Sequence, residues 1–255
     1  MRQNIVQLEK FYASRLGRAA QSMALRRLQS VWPDMSGRDL LGFGYCWPYL
    51  NRHSHPAKRV ILAMPGGQGA VAQRDSIQRA DAPEGGGVIS CLTHERILPF
   101  SDGQFDNVLV AHGAEETADL DELLKELWRI TRPEGRIVVI AANRAGLWAR
   151  SDKGPFGAGR PFSRTQLRVA LSRAGFIPTV WSGALYVPPI RFLCKPAIIQ
   201  SFEQFGETVW PGFSGLVLVE AVKRLYAEPH EAEKRHVILP GLTPNPIGKT
   251  AAPRH

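Results

Sequence analysis

From Leu98 to Ile140 the chain reads LPFSDGQFDNVLVAHGAEETADLDELLKELWRITRPEGRIVVI, and this stretch restricts the fold more than any other. Val108 to Ala111 and Ile137 to Ile140 are short, nearly continuous aliphatic runs, the pattern of strands covered on both faces. Between them Leu120, Leu123, Leu124, Leu127 and Ile130 recur at helical spacing. Strand, crossover helix and strand form a right-handed unit whose strands run parallel. The class expected is therefore α/β.

The rest of the chain fits that class. Ile5 to Trp32 reads as one long amphipathic helix with a bend at Gly17, ended where Trp32 precedes Pro33. Strands are expected at Arg38–Phe43, Lys58–Met64 and Val88–Leu92, with a short helix at Asp75–Ala80 and a loop at Pro83–Gly87. Ser163 to Ala174 reads as a helix: Ser163 suits the N-cap, Gln166 follows three residues on, and Gly175 ends it. Phe176–Tyr186 and Gly215–Leu225 are the last strands, separated by an insertion carrying a helix at Ile190–Phe205. The tail from Glu228 is proline-dotted and short of core residues, and is expected to be loosely packed.

At 255 residues the chain can bury a sizeable core. No apolar run is long enough to span a bilayer, and no signal-like segment opens the chain, so a cytoplasmic location is expected. Cys46, Cys91 and Cys194 are far apart, form no metal-ligand spacing and suit reduced thiols; no metal is expected. The net charge of +9 admits a polyanionic partner, but the arginines are dispersed, which favours a generally basic surface over a nucleic-acid groove. Oligomeric state stays open.

After the first strand, Gly42-Phe43-Gly44 lets the backbone turn tightly and approach a ligand at the sheet's carboxyl edge. A dinucleotide fingerprint needs glycine at position 47, where Trp47 stands, so a ligand without a pyrophosphate fits better.

Leu-Pro-Phe-x-Asp-Gly-x-Phe-Asp (98–106) before one strand and Leu-x-Glu-Leu-x-Arg (124–129) with a later Pro-x-Gly before the next resemble the class I S-adenosylmethionine-dependent methyltransferases, small-molecule or type 11-like. The resemblance covers roughly residues 40–226. It implies a Rossmann-like, doubly wound, seven-stranded, mostly parallel sheet with an antiparallel last strand and an added N-terminal helix. The implied division is 1–37 for the helix, 38–227 for the domain with an insertion near 187–213, and 228–255 for the tail. The implied cofactor is S-adenosyl-L-methionine and the implied partner a small-molecule acceptor.

Carried onto this chain, the cofactor-binding candidates are Gly42, Phe43, Gly44, Tyr45, Met64, Gln68, Glu95, Arg96 and His112. The family's acidic residue before the glycine turn is matched only by Asp39, with a slipped register. Its carboxylate after the second strand, which would hold the ribose hydroxyls, is missing; Met64-Pro65-Gly66-Gly67-Gln68 stands there and Gln68 is the substitute. Glu95, then His94, are candidates for the adenine amine. Glu115 and Glu116 read as helix N-terminal charges. Methyl transfer asks mainly for alignment and exclusion of water, so catalytic residues are hard to single out; Tyr45, His112, Asn143 and Arg144 are the candidates. A loop from Asn143 to Phe162, rich in arginine, glycine and aromatic residues, suits an anionic or planar acceptor. The rival reading is a non-catalytic relative with a weakened cofactor site, acting as a binding or regulatory protein.

Overall fold

The computed structural model describes residues 4–50, 57–69, 88–151, 154–189 and 211–225. The expected helices at 75–80 and 190–205, the loop at 83–87 and the tail from 228 lie outside them. The described residues all belong to one compact unit within 1–225.

Two helices, α1 (Ile5–Ala13) and α2 (Arg15–Val31), replace the single helix expected at the start. The break falls at Ser14, not at Gly17. Ser14 is extended and its Oγ accepts from Gly17 N, which caps α2. Gly17 still matters, because a Cβ there would collide with the Phe11 carbonyl and prevent the tight turn.

The strands are β1 (Asp39–Gly44), β2 (Arg59–Pro65), β3 (Val88–Thr93), β4 (Phe105–Ala111), β5 (Thr131–Ala142), β6 (Phe176–Ala184) and β7 (Leu216–Lys223). They form one seven-stranded sheet of order β3-β2-β1-β4-β5-β7-β6. All pairs from β3 to β5 are parallel, and β7 runs antiparallel to both neighbours. A short helix α3 (Trp47–Leu50) follows β1, α4 (Leu120–Ile130) joins β4 to β5, and α5 (Arg164–Arg173) precedes β6. Ser163 and Gln166 complete the expected capping box of α5, and Gly175 beyond it has φ +92°.

Alternation along each strand divides the core between the two faces. Leu40, Leu62, Leu109 and Val138 pack with α1, α2 and α3, whereas Leu41, Phe43, Val108 and Val139 pack with α4 and α5. β5 starts earlier than its aliphatic run suggests. Thr131 pairs with Phe105 directly after α4, and the register then shifts as Pro133, Glu134 and Gly135 bulge, with Glu134 at φ +59°.

The Leu-Pro-Phe motif has a local physical cause. Arg129 on α4 donates to the carbonyls of Leu98 (3.1 Å) and Phe100 (2.9 Å) and to Asp102, while Glu126 accepts from Leu98 N at 2.8 Å. Helix and turn therefore hold each other, and the turn delivers Phe105 into the core as β4 begins.

Candidate active site

The parallel strands β1, β2, β3 and β4 end on one rim, and between β1 and β4 the strand order reverses. Ligands of open α/β sheets bind outside the carboxyl ends near that switch point. Asp39 sits at the other end. It opens β1, roughly 16 Å from Gly44 at about 3.3 Å per residue, and forms ion pairs with Arg59 (3.1 Å) and Arg132 (3.3 Å). The slipped register that would have brought it to the cofactor does not occur, because its ion pairs and β1–β2 pairing pin it at the amino edge.

A cleft of about 480 Å³ opens past the ends of β2 and β3, lined by Gly66, Gly67, Thr93, His94, Glu95, Arg96 and Ala118. Glu95 is held there: one carboxylate oxygen accepts from Thr117 Oγ1 (3.0 Å) and Ala118 N (3.3 Å). Arg96 pairs with Glu122 at 2.9 Å. Thr93 Oγ1 is buried with no hydrogen-bond partner among the described residues. Left unpaired, a buried hydroxyl costs about 1–3 kcal/mol.

Nearer β1 and β4 the rim is filled. Gly44 has φ +85°, and a Cβ on it would strike Ala111 O and lie 2.8 Å from Gly113 N, so the two turns are in backbone contact. Above them Tyr12 of α1 shares hydrogen bonds with His112 Nε2 (2.7 Å) and Tyr49 (2.7 Å). Phe156 lies against His112 at a ring separation of 5.2 Å. His112 is at φ +54° and buried, and burial pulls its pKa down to about 4. Gln68 donates to His112 O, and its own carbonyl accepts from Ile5 N (3.2 Å), so α1 is tied to the rim at both ends.

Several candidates are therefore used structurally. Gly42 faces Cys46, Leu50 and Leu62, not a ligand, and Phe43 and Met64 have no exposed surface. Gln68 is buried, and its side-chain nitrogen donates to His112 O. Asn143 donates to Gly212 O (2.9 Å) and Ser214 O (2.8 Å), which ties the loop to the segment before β7, and the exposed Arg144 side chain donates to Pro161 O. Glu115 and Glu116 do not start α4, because Asp119 is its N-cap. Glu115 is buried instead; one oxygen accepts from Ala142 N (2.9 Å), the other has no partner among the described residues, and burial raises its pKa to about 7. Tyr12, Tyr49 and Thr93 escaped the sequence reading. Tyr12 lay within the helical stripe as a core residue, and nothing local to Tyr49 or Thr93 marked it.

Replacing Tyr12 by phenylalanine keeps the ring and strands His112 Nε2 and Tyr49 OH. We expect a loss of about 1–3 kcal/mol in urea unfolding, and an unchanged midpoint would show that the network is not stabilising.

The sheet order, the antiparallel β7 and the glycine-bearing rim define the class I S-adenosylmethionine-dependent methyltransferase fold. A solved S-adenosylmethionine-dependent methyltransferase from Thermotoga maritima matches 86% of this chain and 96% of its own at a TM-score of 0.57 and 17% identity. Residues 52–139 match the family described as "Methyltransferase domain". A demethylmenaquinone methyltransferase of Thermus thermophilus is 49% identical over 43 residues, 17% of this chain and 20% of that protein. A ubiquinone/menaquinone biosynthesis C-methyltransferase of Hahella chejuensis is 32% identical over 99 residues, 39% of each chain. The chain thus spans well under two thirds of the curated relatives it matches. Among the described residues no helix is long and apolar enough to cross a membrane, and no group of three or more His, Cys, Asp or Glu side chains is arranged to hold a metal.

Proposed function

We propose that this protein transfers a methyl group from S-adenosylmethionine to a small-molecule acceptor. The observation that carries the reading is the cleft beyond β2 and β3, where the fixed Glu95 carboxylate borders a space beside exposed glycine backbone. These groups suit an adenosine: Glu95 would hold it, and Gly66 and Gly67 allow close approach. The bound sulfonium supplies an already activated methyl group. The chain's own part is alignment and removal of water.

The family domain and the fold support the cofactor class. The quinone relatives match too little of the chain to carry their acceptor over, so the acceptor class is drawn no narrower than a small molecule. Calorimetry with S-adenosylmethionine and S-adenosylhomocysteine tests the reading: micromolar binding of both is expected. Glu95→Gln should weaken that binding several-fold, and unchanged affinity would remove Glu95 from the site.

One observation favours a second reading, a methyltransferase-like binding protein without activity. Tyr12, His112 and Phe156 occupy the rim at the β1–β4 switch point. On the first reading α1 must give way there for the amino-acid part of the cofactor, and the absence of heat or thermal shift with either nucleoside would select the second.

A further inference from the structure

A second cavity of about 340 Å³ lies where α1 and α2 meet the turn after β1, and it shares no lining residue with the cleft beyond β2 and β3. Its size falls within the range of small-molecule sites, about 300–1,000 Å³. Glu9, Tyr12, Gln21, Tyr45 and Trp47 line it.

The chemistry of that lining is unusual for this chain. The net charge is +9, and α2 carries arginines but no acidic residue, so Glu9 is the sole carboxylate of the two N-terminal helices. Among the described residues no cation lies within ion-pair distance of it. Its charge is felt by Tyr45, whose hydroxyl is pushed above its ordinary pKa by burial and then by Glu9. Tyr45 is buried, makes no hydrogen bond to a described residue, and lines the cavity. The Tyr12 and Tyr45 rings stand 5.9 Å apart at 38°, and half-buried Trp47 adds a third ring. Gln21 gives its amide nitrogen to Pro48 O at 2.7 Å, which leaves its oxygen as an acceptor. A carboxylate, an acceptor oxygen and several ring faces all favour positive charge, and an ammonium over an aromatic face gains about 0.5–2 kcal/mol.

We propose that this cavity binds a small organic cation, an ammonium or quaternary ammonium group, with Glu9 as counter-charge and the rings of Tyr12, Tyr45 and Trp47 around it. The site needs no cofactor and shares no lining residue with the cleft beyond β2 and β3, although Tyr12 also stands at the β1–β4 rim.

Calorimetry on the full chain, without cofactor, tests it with choline and with its neutral isostere 3,3-dimethylbutan-1-ol. Choline should bind with a Kd of about 1 mM or tighter, and the isostere at least about tenfold more weakly. Glu9→Gln and Trp47→Leu should each lower choline affinity about tenfold without moving the thermal midpoint of the free protein appreciably. No choline heat, equal binding of the isostere, or wild-type affinity in both folded variants would each overturn the proposal. Adenosine, which carries no ammonium or sulfonium charge, reports on the other cleft in the same preparation, so the two readings fail separately.

Discussion

Glu115→Gln is expected to stabilise the protein at pH 8 by on the order of 3 kcal/mol and to change it little below pH 4.5. The carboxyl group is buried beside β5, and only one of its oxygens has a partner among the described residues. Burial raises its pKa from 4.5 to about 7. A raised folded pKa means that its contribution is fully present below the unfolded value and is lost as pH rises from 4.5 through 7, at about 1.4 kcal/mol per unit. Glutamine mimics the neutral acid and abolishes that loss.

His112 has the opposite sign. Its folded pKa of about 4 lies below its ordinary 6.5, so stability present above pH 6.5 is lost as pH falls toward 4. The two slopes oppose each other between pH 4.5 and 6.5, and the wild type should show a plateau there. The variant should instead climb steadily from pH 4 to 6.5 and then stay level. A urea-midpoint series across pH decides the matter, and a glutamine variant that follows the wild-type curve would show that Glu115 does not titrate in this range in the folded state.

Gly44→Ala should cost at least about 3 kcal/mol and leave little folded protein. The sequence alone makes this glycine a cofactor-binding candidate at a turn that approaches a ligand. In the structure its Cβ would point at the backbone of the β4 turn, striking Ala111 O and crowding Gly113, and its φ of +85° strains any L side chain. Circular dichroism and urea unfolding test this before any ligand is added. A stable, fully folded alanine variant would mean that the β1 and β4 turns are not in contact.

Elements with strong local patterns were readable in advance. The aliphatic runs of β4 and β5 lie within strands buried on both faces, the leucine spacing of α4 matches its buried stripe, and Ser163 and Gln166 form the capping box. The Leu-Pro-Phe turn was legible because its partners Glu126 and Arg129 are supplied by the next helix in the same short stretch. The break of the first helix was misplaced because serine caps and glycine bends leave similar traces in a helical pattern, and only contact with Phe11 separates their roles.

The rim was less legible, because its chemistry depends on residues far apart in the chain. Nothing near Tyr12 signals His112, a hundred residues away, nor does anything near Glu115 signal that it turns inward to Ala142 N. Period and propensity act between neighbours and therefore write themselves into the order of residues: an α/β chain, parallel strands, a glycine turn, a methyltransferase-like core. Which side chains the closed sheet would seal, orphan or leave facing a cavity is set by packing across the whole fold. That is why Thr93, Glu115 and the Glu9–Tyr45 cavity emerged only from the tertiary structure.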